Sequence, residues 1–462
     1  MASQSSASLP PRLPLVTPPE NRAASTGQDA KMVNVFAERV AGKEYQIYKR
    51  GGLTLSSTTA GNGYGSHHWN GDLYTVFGGD LYKNGVSIGA VDGTNGQFVF
   101  QICQNPGGTA RLFLGNGVKG YLYDPTNGLV DITNAAFPAS FVKGVAYLDG
   151  TLYVMNTTGQ IYGSNINDQT TWSSLNVIVA QVYSDQGIAL ARHLSYVVAF
   201  KEWSIEFFYD AANATGSPLS PVSGVVVSKG CISALSIQEV DGTLLWLSAT
   251  KSPTLEVIRM DNMTSQVIST GPVSALLDGV DASVVTAWIY KQRGHSFYCL
   301  TLVNANLTLV YDVKEDIWYY WQDPNGNALM IASSTWQGNL QYWQHMTNGG
   351  MYTISPLTYA DDGVAFSVDV VTPNYDAETR LTKSLNKMDM ILDRESGGIL
   401  SVRVSDDDYR TWTNFRRIDL AKNRPYLTGC GSFRRRAFHF HHQSNAPLRM
   451  QAVELDLSLG SL

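Results

Sequence analysis

The sequence predicts an all-β protein whose main part is a β-propeller of about six to seven blade-like repeats. Two observations carry this prediction. A strand-turn-strand pattern recurs about every 36 to 52 residues between Trp69 and Gly350, and helical periodicity is nearly absent. The composition agrees, because 42 of the 462 residues are Gly and only 16% are charged, as expected for a chain of strands and tight turns.

Each repeat has the form of a β-hairpin, in which β-rich runs flank a turn of residues such as Gly, Asn and Asp. The first repeat spans Trp69–Tyr82. A hairpin cannot bury its own apolar face, so a regular array of hairpins must stack neighbour on neighbour. Periods of about 40 to 50 residues are those of propeller blades. The other repeats begin near Arg111, Tyr147, Leu194, Thr243, His295 and Gln337.

Three zones follow along the chain. Residues 1–30 are rich in Ser, Pro and Ala and are predicted to form an extended arm without a core, pinned by something such as a neighbouring subunit. Residues 31–366 carry the hairpins of the propeller. Residues 367–462 contain longer alternating strands, including Arg436–His441 and Leu448–Leu457. They predict a C-terminal β domain, or strands that close and cover the ring.

The composition also excludes several classes of protein. A net charge of −6 indicates that the whole molecule is not built to wrap nucleic acid. No run of eighteen apolar residues is present, so no membrane span is predicted, and the N-terminus lacks the apolar core of a signal peptide. The four cysteines form no metal or disulfide pattern and are predicted to be buried thiols in a reducing compartment. They are Cys103, Cys231, Cys299 and Cys430.

The sequence argues against an enzyme and indicates no cofactor. No nucleophile elbow, Walker A, zincin or dinucleotide-binding motif stands in its required context. Asp361-Asp362 and Asp406–Asp408 lie in turn contexts and are interpreted as solvated loop tips. A glycosidase would need a paired acid and nucleophile instead.

The segment Ser405–Trp412 resembles the Asp-box of sialidase-type propellers, S-x-D-x-G-x-T-W. That motif is a hairpin-stabilising turn in which Ser and Asp bond the turn backbone and Trp packs beneath, and it carries no catalysis. Tyr409 stands where the motif has glycine, which leaves the formation of the tight turn as a question for the structure.

Two groups of histidines invite a metal site. His439 and His441 share one face of a predicted strand, whereas His442 faces the other side. Zinc needs three or four convergent ligands, and no third ligand stands nearby on that face, so exposed or interface histidines are predicted instead. His67-His68, in a Gly-rich segment interpreted as a loop, are treated in the same way.

The remaining charged feature is basic. Residues 401–462 contain ten Lys/Arg and six Asp/Glu, a net charge of +4 against −10 for the rest of the chain. Such a patch suits phosphates, carboxylates on an acidic neighbour, or a solvated strand edge protected by charge. The candidate interface residues are Arg416, Arg417, Arg434, Arg435 and Arg436.

Short segments along most of residues 20–460 also occur in an order and spacing that resemble one protein family. They are Asn21-Arg22, Met32–Glu38, Tyr48–Leu53, Gly71–Val76 with Asp80–Tyr82, Ile205–Phe208, Asp241–Ser248 with Val267–Thr270, Arg293–Tyr298, Tyr311–Val313 and Trp318–Trp321. Together they resemble the packaged-DNA stabilisation proteins of short-tailed bacteriophages, also described as tail hub or nozzle proteins.

The resemblance implies a structural virion protein, made in the host cytoplasm and forming a homohexameric ring below the portal and head-tail adaptor. Such a ring extends the channel for double-stranded DNA without sequence-specific binding, retains the packaged genome, and supports tail fibres, spikes or a needle. The five arginines are then predicted to lie at an intersubunit or adaptor interface, because tight phosphate contacts round a ring would hold back a sliding genome. The alternative is a propeller-type glycan-binding or glycan-cleaving receptor-binding tail protein, with two carboxylates about 5 to 10 Å apart in a cleft.

Overall fold

A computed structural model describes residues 10–17, 30–40, 45–105, 107–249, 254–395 and 397–460. The chain divides into two compact units. The propeller unit comprises Leu55–Asn306 and Met330–Ile354. The two-sheet unit comprises the described residues of Met1–Thr54, Leu307–Leu329 and Ser355–Leu462.

These units differ from the boundaries at residues 30 and 366 predicted from the sequence. Met32 pairs with Val370, and Ile47 pairs with Met450, in antiparallel ladders. The strands just after the N-terminal arm therefore belong with the C-terminal strands. Local patterning does not report such pairing, because the partners lie hundreds of residues apart in the sequence.

The first strands of the chain are short. They are β1 (Lys31–Val33), β2 (Val35–Arg39), β3 (Tyr45–Lys49) and β4 (Gly52–Thr58).

In the propeller unit, five consecutive four-stranded antiparallel sheets form the first five blades. Their strands are β5 (Gly63–Trp69), β6 (Asp72–Phe77), β7 (Asp80–Lys83), β8 (Val86–Ala90); β9 (Val99–Gln104), β10 (Ala110–Gly115), β11 (Gly120–Asp124), β12 (Gly128–Asp131); β13 (Ala146–Leu148), β14 (Thr151–Met155), β15 (Gln160–Asn165), β16 (Asp168–Val179); β17 (Gly187–His193), β18 (Tyr196–Lys201), β19 (Ile205–Asp210), β20 (Leu219–Val227); β21 (Gln238–Val240), β22 (Thr243–Ala249), β23 (Leu255–Asp261) and β24 (Thr264–Val267).

The sixth blade position is represented in this unit by the hairpin of β25 (Val285–Gln292) and β26 (His295–Leu302). The seventh is built from β29 (Ile331–Gln337), β30 (Leu340–His345) and β31 (Gly350–Ser355), with β4 beside β31. The strands β27 (Leu307–Asp312) and β28 (Ile317–Tyr320), which precede β29, belong to the two-sheet unit. The described residues thus give seven blade positions, at the upper end of the predicted range.

The turn chemistry explains why hairpins form where the sequence predicts them. Asn70 and Gly71, between β5 and β6, both have positive φ, 51° and 84°. A two-residue type I′ turn requires that conformation, and its twist matches that of the flanking strands. Asp149-Gly150 and Asp241-Gly242 repeat the pattern in the third and fifth blades.

The first and last blades of the unit are hydrogen bonded to each other. Gln344 of β30 accepts a hydrogen bond from the backbone N–H of Gly65 at 2.7 Å and donates one to the carbonyl of Val76 at 2.8 Å. The apolar core lies between successive blades, as in the cluster of Trp69, Tyr74 and Leu112 from the first two. The predicted all-β propeller is confirmed.

Helical structure among the described residues is confined to the short 3₁₀ segments η1 (Gly93–Asn95) and η2 (Ala234–Ser236) and to α1 (Gly271–Leu277). No helix in the described part of the chain is long and apolar enough to cross a membrane.

The two-sheet unit is made mainly of two layers. Its remaining strands are β32 (Ala360–Asp361), β33 (Val364–Ala365), β34 (Val368–Val371), β35 (Lys383–Leu392), β36 (Ile399–Ser405), β37 (Arg416–Asp419), β38 (Tyr426–Thr428), β39 (Ser432–Phe433), β40 (Ala437–His442) and β41 (Arg449–Leu459).

Within this unit, the first sheet has the order β27-β28-β1-β34-β40-β36-β37, and the second has the order β2-β3-β41-β35-β38, with β39 also paired to β35. Strands β32 and β33 pair only with each other among the described strands. Phe433 and Phe438, from the two sheets, meet at a ring distance of 6.5 Å.

Part of the predicted arm, residues 10–17, lies along β41 of its own chain. The backbone N–H of Leu13 donates to the carbonyl of Val453 at 2.9 Å, and Arg12 pairs with Glu454 at 3.0 Å. Leu13 and Leu15 are buried. These contacts hold the segment against its own chain, whereas the sequence predicted a tether such as a neighbouring subunit. Residues 1–9 and 18–29 of the predicted arm lie outside the described residues, as do Asn21 and Arg22.

Candidate functional site

The five candidate arginines all lie in the two-sheet unit, near the end of the loop that joins β36 to β37. Arg416 and Arg417 begin β37, and Arg434–Arg436 immediately precede β40. Because β37, β36 and β40 are neighbours in the first sheet, the fold brings the two arginine groups to one end of this unit. The individual arginines differ in their burial and in their partners.

Arg436 is engaged within its own chain. Its side chain is 4% exposed and grips Asp406 with two hydrogen bonds of 2.7 Å, while its third nitrogen donates to the carbonyl of Cys430 at 2.6 Å. A guanidinium whose nitrogens are all occupied inside its own chain has little left to offer a partner. Arg436 is predicted as an interface residue, and within its own chain it fastens the β36–β37 loop.

The other four arginines are exposed. Arg435 pairs with Asp408, and Arg416 donates to the carbonyls of Thr428 at 2.6 Å and Gly429 at 3.3 Å. Among the described residues, Arg417 and Arg434 have no carboxylate within 4.0 Å and no side-chain hydrogen bond. These two are the members of the predicted set that remain free for an external contact.

The Asp-box-like segment forms the turn of that motif. Ser405 accepts a hydrogen bond from the backbone N–H of Tyr409 at 3.0 Å, and Asp407 accepts one from the backbone N–H of Thr411 at 2.9 Å. Trp412 packs against the small cluster that contains Tyr409. The structural role predicted for these residues is confirmed.

Tyr409 fits the glycine position by adopting the left-handed conformation, with φ at 67°. This conformation costs an ordinary side chain about 1 to 2 kcal/mol. Tyr409 is 2% exposed, and its hydroxyl donates to the carbonyl of Thr372 at 3.1 Å. Burial of a large aromatic side chain offsets the backbone cost, which explains how the turn forms without glycine.

The histidine pair on β40 acquires a third partner that the sequence did not reveal. Asp369, on the neighbouring strand β34 and opposite His441 in the register, lies 2.7 Å from His439 Nε2 and 2.8 Å from His441 Nδ1. His442, predicted on the opposite face of the strand, is buried. No third ligand was predicted from the sequence near His439 and His441. The neighbouring strand places Asp369 in that position.

These three side chains could hold a metal ion by proximity alone, but their hydrogen bonding favours a different arrangement. Arg403 Nε donates to His439 Nδ1 at 2.9 Å. A neutral imidazole that accepts at Nδ1 carries its proton at Nε2, and it therefore donates Nε2–H to Asp369. Histidine ligands in metal sites do the reverse and donate their second N–H outward. The geometry accordingly describes a hydrogen-bonded cluster.

The electrostatics of the cluster follow from burial and from these bonds. Burial opposes ionisation of Asp369, but its hydrogen bonds from His439 and His441 outweigh burial, and the pKa of Asp369 lies well below its ordinary value. The hydrogen bond to Asp369 raises the pKa of His441. Burial lowers the pKa of His439.

An aromatic cover lies over the cluster. Phe415 is 42% exposed, and its ring is 5.5 Å from the rings of both His439 and His441. The guanidinium of Arg403 lies 4.5 Å from the Phe415 ring and 5.1 Å from that of Trp412, within the range of cation–π attraction. The β36–β37 loop is thereby held on the outer face of the sheet by its ion pairs and its aromatic contacts.

Other sequence-based interpretations need correction. Asp361, predicted to be a solvated loop tip, is 8% exposed and ion-paired with Arg50, whereas Asp362 is exposed. His67 and His68 lie in strand β5 rather than in a loop. His67 stacks on Phe100 at 5.7 Å, and burial lowers its pKa to about 4.

The predicted burial of the cysteine thiols is confirmed for Cys103, Cys231 and Cys299, whereas Cys430 is partly exposed. Burial raises the pKa of Cys231 to about 12, which suits an unreactive packing residue.

Comparison with known protein families gives a match that covers most of the propeller. A family model described as "Bacteriophage P22 Gp10, beta-propeller" matches residues 28–339, more than half of the chain. No curated protein matches the sequence.

Solved structures give likenesses of low identity. The N-terminal domain of Nup159 is 9% identical with a TM-score of 0.39 over 71% of this chain and 99% of that one. The computationally designed Ika8 protein is 11% identical with a TM-score of 0.40 over 66% and 99%. A streptogramin B lyase is 11% identical with a TM-score of 0.42 over 66% and 97%. Sequence identities and TM-scores this low give no information about the function of this chain.

Proposed function

The chain belongs to this phage stabilisation family, and on that premise we propose that it forms a homohexameric ring in the phage tail, below the portal and head-tail adaptor. Membership makes it a structural component of the virion with a propeller fold. The ring extends the DNA channel, retains the packaged genome, and carries tail fibres, spikes or a needle. The observation that carries the proposal is the family match over residues 28–339.

The proposal is tested by the number and arrangement of copies in assembled particles. Reconstruction of the tail should give six copies related by rotation about the channel, because head-to-tail contacts that close make rings. The purified chain alone is expected to stay monomeric until the adaptor is present. A single isolated copy per tail would contradict the ring.

Within that ring, Arg417 and Arg434 are proposed to contact carboxylates of a neighbouring subunit or of the adaptor. Both are exposed, and neither has an ion-pair partner among the described residues of its own chain. Carboxylates offer arginine a two-pronged partner. Particles that carry Arg417→Ala with Arg434→Ala should lose tails or leak genome. Arg436 is left intact, because its loss would loosen the β36–β37 loop and confuse the result.

A different outcome would reassign these arginines. If the double variant assembled and retained DNA normally, while the salt dependence of genome ejection became weaker, then Arg417 and Arg434 would contact phosphates of the channel DNA. Lys119→Ala with Lys291→Ala, which removes two exposed charges from the propeller unit, is the matched control.

The proposed role includes no catalysis. Asp406 forms an ion pair with Arg436, and Asp408 forms one with Arg435. Asp407 accepts a hydrogen bond from the turn backbone. All three carboxylates therefore have structural roles. Purified protein should not hydrolyse host glycans. Hydrolysis that disappeared on replacement of one of these aspartates by Ala would favour the alternative, a glycan-cleaving tail protein.

A further inference from the structure

A cleft in the two-sheet unit contains cations that the fold does not neutralise. It has a volume of about 710 Å³ and lies beside the edge strand β38, between β35 and the loop of residues 421–425. Strand β38 is the last strand in the order of the second sheet, so one side of the cleft ends at the edge of that sheet.

The carboxylates in the cleft are already paired. Asp389 lies 2.6 Å from Lys387 Nζ, and Glu454 lies 3.0 Å from an Arg12 nitrogen. Each pair is neutral as a whole. The floor of the cleft therefore contributes little net charge.

Three further cations line the same cleft without a carboxylate partner. Arg394 uses only Nε, which donates to the carbonyl of Ala421 at 2.8 Å. Lys422 and Arg424, both exposed, have no side-chain hydrogen bond among the described residues. None of the three has a described carboxylate within 4.0 Å. The cleft thus presents three positive groups to an external ligand.

The cleft also has an apolar component. Ile391, Leu392 and Pro425 contribute to its lining. Tyr426 is 55% exposed, and Lys387 Nζ lies 4.7 Å from the centre of its ring. Exposed tyrosine next to aliphatic side chains and surrounded by charge is the composition of protein interfaces, where aromatic residues supply much of the binding energy.

We propose that this cleft docks an acidic segment of another polypeptide chain in the virion, an inference that rests on the proposed function. Carboxylates of the segment pair with Arg394, Lys422 and Arg424, while its apolar side chains cover Tyr426 and the aliphatic floor. A nucleic-acid backbone fits less well, because its phosphates would leave the apolar lining unused.

The proposal is tested in assembled particles with a photo-cross-linking residue, p-benzoylphenylalanine, in place of Tyr426. Mass spectrometry of the product should identify another polypeptide, joined through a segment with more Asp and Glu than Lys and Arg. Cross-linking to DNA, joining to a segment without excess carboxylates, or no product would each overturn the proposal.

A charge variant tests the three cations. With Arg394→Ala, Lys422→Ala and Arg424→Ala together, the cross-link yield should fall at least tenfold. The control replaces three surface lysines of the propeller unit by Ala, namely the half-buried Lys83 and the exposed Lys119 and Lys291, and should keep the yield. Equal yields in the two variants would contradict the role of the cations. If the triple cleft variant does not fold, the single change K422E in the exposed loop takes its place.

The same particles show whether a negative result contradicts the proposed function or only the docking at the cleft. Immunoblotting measures how much of the chain they contain. Particles that lack the chain would contradict the virion role and, with it, the docking partner. Particles that contain the chain but give no such cross-link would contradict the cleft alone.

Discussion

Arg50 and Asp361, 311 residues apart, form a two-fold ion pair inside the two-sheet unit, with nitrogen–oxygen distances of 3.0 and 2.6 Å. Arg50 is fully buried, and it also donates to Asn34 Oδ1 at 3.0 Å and to the carbonyl of Gln322 at 2.9 Å. The ring of Phe366 lies 3.8 Å from its guanidinium carbon. One side chain therefore joins three distant parts of the chain.

Arg50→Ala should lower the free energy of unfolding of the two-sheet unit by about 3 to 5 kcal/mol, because it leaves the Asp361 carboxylate buried without its partner. Arg50→Lys should also destabilise this unit, since an ammonium cannot reproduce the planar set of five donors. Urea denaturation measures both. Arg435→Ala, which breaks an exposed pair, is the control and should cost less than about 1 kcal/mol. Equal effects at the two sites would contradict the assigned role.

Tyr409→Gly should destabilise the β36–β37 loop even though it restores the residue of the Asp-box motif. Glycine removes the backbone cost of about 1 to 2 kcal/mol, but loss of a buried aromatic side chain costs about 3 to 5 kcal/mol. Tyr409→Phe keeps the ring and loses the hydroxyl that donates to Thr372, so it should cost about 1 to 3 kcal/mol. A glycine variant more stable than wild type would show that backbone strain dominates.

The pKa of His441 should exceed its ordinary value of 6.5 in the folded protein and should fall in Asp369→Asn, since the hydrogen bond to Asp369 is the main cause of its elevation. NMR titration of selectively labelled histidine measures both. His441 thus adds stability that is complete below pH 6.5 and is lost as the pH rises through its folded pKa. His439, whose pKa is lowered, acts in the opposite sense, with stability lost as the pH falls below 6.5.

The two effects are separated by single replacements. His441→Ala should lower stability relative to wild type more at pH 6 than at pH 8. His439→Ala should show the reverse trend. If both variants had the same pH dependence as wild type, the electrostatic description of the cluster would be wrong.

Lys49→Met should stabilise the two-sheet unit at pH 6 by about 1 to 3 kcal/mol, because a well-packed apolar side chain often replaces a buried charge without loss. Lys49 is 2% exposed, and burial lowers its pKa to about 7. A lysine with a depressed folded pKa contributes most stability above its unfolded pKa, near 10.5, and loses it as the pH falls through the folded value.

The gain from Lys49→Met should therefore shrink between pH 6 and pH 9, as the wild-type lysine becomes neutral in the folded state. Thermal unfolding at several pH values measures the trend. Lys49 also donates to the carbonyl of Ser444 at 2.8 Å. Lys49 Nζ also lies 4.4 Å from the centre of the Phe366 ring. A variant less stable than wild type at every pH would mean that the hydrogen bond and this ring contact outweigh the cost of burying the charge.

Much of the fold was predictable because its signals are local. The hairpin turns at Asn70-Gly71 and Asp149-Gly150 need residues that accept positive φ, and those residues stand in the sequence at the predicted spacing. The Asp-box turn was similarly visible in Ser405, Asp407 and Thr411, whose hydrogen bonds reach only four residues. Fold class, hairpin positions and this turn could therefore be read without knowledge of distant contacts.

The candidate site was less predictable, because counting charged residues does not show which of them are paired within the folded chain. Arg434, Arg435 and Arg436 are consecutive in the sequence, yet one is free, one is paired at the surface and one is buried. The free cations of the cleft, such as Lys422 and Arg424, are scattered among ordinary loop residues and formed no cluster in the sequence. Their common feature is the lack of a carboxylate neighbour, which only the folded arrangement defines.

The sequence by itself determined that this chain is an array of stacked hairpins, because strand alternation and turn conformation depend on residues a few positions apart. Only the tertiary structure decided that the N-terminal and C-terminal strands form one unit, that Asp369 meets His439 and His441, and that Asp361 is buried against Arg50. These contacts join segments about 70 to more than 300 residues apart. Long-range strand pairing brings them together, and the burial of apolar surface between the layers stabilises that pairing.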